Sequence, residues 1–174
     1  VPAHVKSGSY LSNVLALRSV REQGAFEGLL RGADNSWAEA TTSNLFLVKD
    51  GVLLTPGIED QILPGITRAL VLSLAAQAKL EVVERPLFDT DLEEADELFL
   101  TSSLKEVLPV SHLDNRPVGA CDGPASRRPE HSANSQDSVG APGPVTRELL
   151  GLYRRATKRL SAAAALRLRD VFPE

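Results

Sequence analysis

Apolar residues recur along this chain at two spacings, one near 3.6 residues and one of two, with turn-forming residues where the spacing changes. Tyr10 to Gln23 sets Leu11, Val14, Leu15 and Leu17 along one helical stripe that Gly24 ends. Phe26 to Leu30 reads as a short strand and Gly32-Ala33-Asp34-Asn35 as a turn. Trp37 to Val48 is an apolar strand segment around a polar centre, Glu39 to Asn44. Lys49-Asp50-Gly51 signals a hairpin whose returning strand is Val52-Leu53-Leu54. Pro64 and Gly65 permit a sharp entry into a run that is helical from Ile66 to Ala78. Leu80 to Leu87 is β-rich, Asp89 to Ala95 a short acidic helix or turn, and Glu97 to Thr101 a strand. Ser102-Ser103 then turns the chain toward Val107 to Val110. From Pro144 the pattern is helical again, over Val145 to Lys158 and Leu160 to Val171. Strands, helices and local hairpins in this order predict a mixed α+β fold.

One stretch breaks the pattern. From Asp122 to Ser138, Pro, Ser, Asn, Arg and Glu dominate and apolar residues nearly vanish. That composition predicts a disordered loop. It lies between the similar fragments Val118-Gly119-Ala120 and Val139-Gly140-Ala141, so residues 122–138 read as an insertion into a single domain covering 1–174.

Composition narrows the function classes. A chain of 174 residues with 43% apolar and 24% charged residues suits one ordinary globular core. The net charge of −4 gives no basic footprint, so neither nucleic acid nor an anionic membrane surface is an expected partner. The arginines and lysines at 154, 155, 158 and 159 read as a solvated helix face in this acidic chain. The lone Cys121 excludes an internal disulfide and a cysteine-rich zinc site. His4, His112 and His131 lack ligand spacing, so no metal is expected. Without a membrane-length apolar run or a signal-peptide layout, the expected compartment is the cytoplasm.

The candidate chemistry is spread along the chain. Lys6 stands in a loop before the first helix, where a lysine is usually a solvated amine. Glu39 interrupts an apolar strand, as an exposed edge residue would. Ser102-Ser103 is compatible with a plain turn. The helix opening at Gly65-Ile66-Thr67 presents unpaired backbone N–H groups beside a hydroxyl, which suits an anion such as phosphate and equally an ordinary first turn. Taken together, an amine, a carboxylate, a helix N-terminus and a hydroxyl pair are the parts needed to hold pyridoxal 5′-phosphate.

Their order and neighbours resemble the class IV aminotransferases, the pyridoxal-phosphate enzymes of fold type IV. The resemblance is carried by Lys6-Ser7-Gly8-Ser9-Tyr10-Leu11, Glu39 through Asn44-Leu45-Phe46, and Leu63 through Arg68. Ala95-Asp96-Glu97-Leu98-Phe99 running to Pro109-Val110, and Pro142-Gly143-Pro144-Val145-Thr146, extend it. It implies the cofactor domain of a D-amino-acid-aminotransferase-like architecture, with amino-acid and 2-oxo-acid substrates and a homodimer. Carried over by position, it makes Lys6 the Schiff-base amine and the proton carrier, with Tyr10 near it. Glu39 becomes the partner of the pyridine nitrogen and Leu63 a residue packed on the ring. The Ile66 and Thr67 amides, the Thr67 hydroxyl and Ser103 become the phosphate ligands. Family members often have threonine at the Ser103 position. They also carry an N-terminal domain with a phosphate-binding arginine, and nothing before Lys6 matches it. With no methionine in the chain, the expectation is a truncated or fragmentary aminotransferase. An aminodeoxychorismate lyase using the same lysine, or a non-catalytic cofactor-binding remnant, are the alternatives.

Overall fold

A computed structural model describes residues 11–60, 62–119 and 141–171, with side chains described up to residue 160. Lys6, Tyr10, the segment Val1 to Ser9 and the expected insertion at 122–138 lie outside the described residues. Helix α1 (Leu11–Glu22) is followed by β1 (Leu29–Arg31), β2 (Trp37–Ala40), β3 (Asn44–Lys49) and β4 (Val52–Thr55). Next come α2 (Ile66–Gln77), β5 (Val82–Glu84), α3 (Asp89–Glu93), β6 (Glu97–Ser102) and β7 (Glu106–Val110). A small hairpin, β8 (His112–Leu113) and β9 (Arg116–Pro117), precedes the long helix α4 (Pro144–Val171).

β3 is the centre of the sheet. It pairs antiparallel with β6 along most of its length, from Asn44↔Thr101 to Val48↔Glu97. Its other edge takes β4 through Leu47↔Leu54 to Lys49↔Val52, and β2 at Glu39↔Asn44. The two-residue period sorts side chains to two faces. Phe46, Val48, Leu53, Phe99 and Val107 form one core with Val71, Leu74 and Ala75 of α2 and Leu149 and Tyr153 of α4. Leu45, Leu47, Leu54, Leu98 and Leu100 form the second, under Leu87, Leu92 and Ala95. The rings of Phe46 and Phe99 stack at 4.9 Å between centroids in the middle of the first face. On α2, residues 67, 68, 71, 74 and 75 are buried, a stripe of helical period facing that core.

Burial of Glu97 at the far end of this face does structural work. Its carboxylate accepts hydrogen bonds from the Val145 and Thr146 amides at 3.0 and 2.8 Å, so a strand residue caps the N-terminus of α4. Glu97→Ala removes the acceptor for two helix-end donors. It is expected to cost about 1–2 kcal/mol, read as a lower midpoint in urea denaturation. An unchanged midpoint would mean water caps the helix equally well.

The expected α+β architecture is the one observed, with local differences that have physical causes. The first strand begins at Leu29 rather than Phe26, because the Glu27 side chain is drawn inward to Thr41, Thr42 and Lys105 and holds residues 25–28 in an irregular loop. The segment Trp37 to Val48 is two strands, with Thr41-Thr42-Ser43 as the turn between them. The Lys49-Asp50-Gly51 turn forms as the sequence predicts, Asp50 and Gly51 both at positive φ. The C-terminal helical segments are one continuous helix. The hairpin at Asp114-Asn115, also at positive φ, joins strands too short to show periodicity.

Candidate functional site

Followed outward from the Phe46–Phe99 stack, the first face of the sheet changes from apolar to polar within one step. The next residues on that face are Asn44 and Thr101, which are directly paired across β3 and β6, and then Glu39, paired with Asn44 across the β2–β3 turn. The core ends there and a cavity of about 470 Å³ begins. Its walls are the β2–β3 hairpin, the Leu63-to-Thr67 entry of α2 and the turn after β6 from Ser102 to Lys105.

Glu39 lines the cavity from β2. Its Oε2 accepts from the Leu63 amide at 3.0 Å and from Asn44 Nδ2 at 3.4 Å, and Asn44 Nδ2 also donates to the Leu63 carbonyl at 2.8 Å. Oε1 accepts no hydrogen bond among the described residues. Burial pushes the Glu39 carboxyl above its ordinary value, opposed by the Leu63 hydrogen bond. A desolvated carboxylate with one free oxygen facing a cavity favours a ligand that brings a proton or positive charge to it.

The N-terminus of α2 bears on the same space. Gly65 is the cap residue, in extended conformation, and among the described residues no side chain caps the helix. The first helical bond is Ala69 N to Gly65 O at 2.9 Å. The amides of Ile66, Thr67 and Arg68 therefore precede it without a backbone acceptor among the described residues. The Gly65 Cα lies so close to Asn44 that a Cβ would overlap the Asn44 amide oxygen. Thr101, 1% exposed, also lines the cavity, and its Oγ1 has no hydrogen-bond partner among the described residues. Arg68 is buried on the other side of the helix entry, its Nη2 on the Pro56 carbonyl at 2.7 Å and on Glu84 at 2.5 Å. Its charge is thus committed to holding the first turn in place.

Of the residues singled out from sequence, Glu39, Leu63, Ile66, Thr67 and Ser103 all line this one cavity. Lys6 lies outside the described residues. Glu39 is not an edge residue: β2 has neighbours on both sides, and the side chain is half-buried. Ile66 contributes its amide, since its side chain is 83% exposed. Ser103 sits at the exposed rim, in the turn after β6. Sequence reasoning overlooked Thr101, whose place follows from the alternation Glu97, Phe99, Thr101. It also overlooked the role of Asn44 and the contribution of Lys105, which no local pattern marks. Among the described residues no cluster of metal-binding side chains occurs, and no helix is long and apolar enough to cross a membrane.

Comparison with known proteins follows the same outline. The family model described as amino-transferase class IV matches residues 1–113. The chain is 38% identical over 131 residues to a branched-chain-amino-acid aminotransferase of Salmonella typhimurium, covering 74% of this chain and 42% of that one. It is 38% identical over 119 residues to a D-alanine aminotransferase of Listeria monocytogenes, covering 68% and 40%. The crystal structure of a branched-chain amino acid aminotransferase from Thermobaculum terrenum in its PLP form superposes with a TM-score of 0.76 at 32% identity, covering 90% of this chain and 45% of that one. The chain thus spans less than half the length of each of these proteins.

Proposed function

The chain belongs to the class IV amino-transferase family, and from that premise we propose that it binds pyridoxal 5′-phosphate and serves the transfer of an amino group from an amino acid to a 2-oxo acid. The observation that carries this reading is one cavity lined both by a desolvated carboxylate and by a helix N-terminus whose first amides have no backbone acceptor among the described residues. The residues fit the cofactor. The orphaned Thr101 hydroxyl, the free α2 amides and the backbone approach that only glycine allows at 65 suit a phosphate, and the free Glu39 oxygen suits a protonated ring nitrogen.

When bound, the cofactor supplies a conjugated ring that takes up the electron pair released as the substrate's α-hydrogen leaves. The chain's own residues do the rest. Glu39 Oε1 holds the proton on the ring nitrogen, while Leu63 and Asn44 fix the other carboxylate oxygen. Leu63 packs on the ring. The Ile66 and Thr67 amides, the Thr67 hydroxyl and Ser103 bind the phosphate. Lys6 would be the residue that holds the cofactor covalently, and its amine, set free when the substrate's amine takes its place, would move the proton from the substrate α-carbon. The reading extends to a homodimer in the cytoplasm, the first part of which light scattering on the purified chain tests.

The deciding experiment is covalent trapping. Borohydride added to the chain with pyridoxal 5′-phosphate is expected to fix the cofactor on Lys6, seen by peptide mass mapping. A label on another residue, or none, would overturn the assignment. Parallel assays then separate the chemistries. Amino transfer to 2-oxoglutarate supports the proposal. Release of 4-aminobenzoate from aminodeoxychorismate would replace it with a lyase, and trapping without either activity would make the chain a binding domain.

A further inference from the structure

Beyond the residues assigned above, the cavity is framed by an ion pair, one member of which, Lys105, lines it. Glu27, in the loop after α1, has a side chain 5% exposed and pairs with Lys105, 21% exposed, in the turn after β6. The two are 78 positions apart. Between them stands the β2–β3 turn. Glu27 Oε1 accepts from the Thr41 hydroxyl, and Oε2 from Thr42 Oγ1 at 2.7 Å. Lys105 Nζ donates to Thr42 Oγ1 at 2.6 Å and Ser43 Oγ at 3.4 Å, and lies 5.2 Å from the centroid of the Phe26 ring. The Lys105 amide donates to Ser102 Oγ at 3.2 Å, which ties the backbone of the same turn. One ion pair thus joins three separate segments, two of which carry walls of the cavity.

We propose that Glu27 and Lys105 act as a positioning clamp: the pair sets the separation between the Ser102–Leu104 turn and the Thr41–Ser43 turn, and with it the place of Ser103 opposite the N-terminus of α2. This rests on the cavity taking a phosphorylated cofactor. The effect is expected at the Ser103 contact, since Glu39 is held by the Leu63 amide and Asn44 Nδ2 and not by Glu27 or Lys105.

A lysine beside an anion site invites a simpler explanation, direct attraction of the phosphate, and the two make opposite predictions. Glu27→Gln keeps the ammonium and removes the negative charge that neutralises it. If Lys105 acts by charge, that variant binds pyridoxal 5′-phosphate more tightly than the unaltered chain. If the pair acts by position, it binds about tenfold more weakly, because the turn is released. The measurement is spectral titration of the full chain with pyridoxal 5′-phosphate and, separately, with pyridoxal. The clamp predicts a loss confined to the phosphate ester. Lys105→Arg, which retains the charge and can still reach Glu27, is expected to stay within about threefold. It serves as the second test where Glu27→Gln folds poorly by circular dichroism, and a tenfold loss in it would overturn the proposal. Tighter or unchanged binding in Glu27→Gln, or equal losses for both ligands, would also overturn it. No saturable binding by the unaltered chain would remove the cofactor reading and the clamp together, a result distinct from binding that the variants leave unchanged.

Discussion

Glu39→Gln is expected to leave pyridoxal 5′-phosphate bound while slowing the substrate's α-proton transfer by about a hundredfold or more, the scale at which a single charged group acts in a desolvated site. Glutamine matches the shape of glutamate, so the contacts to Leu63 and Asn44 have a near equivalent. It has no charge with which to hold a proton on the ring nitrogen. Single-turnover absorbance after mixing with an amino acid separates the two effects, because binding and proton transfer appear as distinct phases. The free chain offers an independent check through pH. Burial raises the Glu39 carboxyl above its ordinary value of 4.5, so the folded chain holds that proton more tightly than the unfolded chain does. Well below pH 4.5 the group is neutral in both states and costs nothing. As pH rises through and above that value, ionising it in the folded state costs stability, until the folded group has fully titrated. Glu39→Gln abolishes that cost, so without ligand it should gain on the unaltered chain across this window and hold the gain at higher pH. Equal turnover in both chains, or a stability difference flat in pH, would remove the proposed role of Glu39.

This site was partly legible in the sequence because its parts are local words. A Pro-Gly entry before a helical stripe announces a free helix N-terminus, and a carboxylate within an apolar strand announces a costly burial. What sequence did not give was the role of pairing. Asn44 and Thr101 are 57 positions apart and become neighbours only because β3 pairs with β6 in one particular register. Thr101 reads as one more β-favouring residue until its hydroxyl is found without a partner at the end of the core. Lys105 and Glu27 look like solvated charges for the same reason. Neither has a sequence neighbour that explains its burial, and each is accounted for by the other. The fold was easier. Its two cores follow from alternation in β3 and β6 and from the stripe on α2, which are properties of short segments. The start of β1 shifted where a long-range contact competed, through Glu27, whereas the division of the 37–48 segment and the joining of the C-terminal helical segments are local differences.

Gly65→Ala gives the sharpest test of whether close backbone approach builds the phosphate end. The backbone at 65 has φ −68 and ψ 135, which alanine adopts freely, so any cost comes from contact rather than from conformation. The added methyl would overlap Oδ1 of Asn44, a side chain 5% exposed and fastened to the Leu63 carbonyl at 2.8 Å. Asn44 can swing aside only by giving up its bonds to Leu63 and Glu39, so the methyl is relieved either at that cost or by a shift of the helix entry. The expected cost is about 1–3 kcal/mol in stability, typical of overpacking. Affinity for pyridoxal 5′-phosphate should fall by tenfold or more, because displaced amides no longer converge on one anion. A double-mutant cycle identifies the cause. In an Asn44→Ala background the overlapping oxygen is gone, and adding Gly65→Ala should then cost almost nothing in stability. If the penalty for the methyl is the same in both backgrounds, the tight contact between Asn44 and the α2 entry is not what glycine serves at this position.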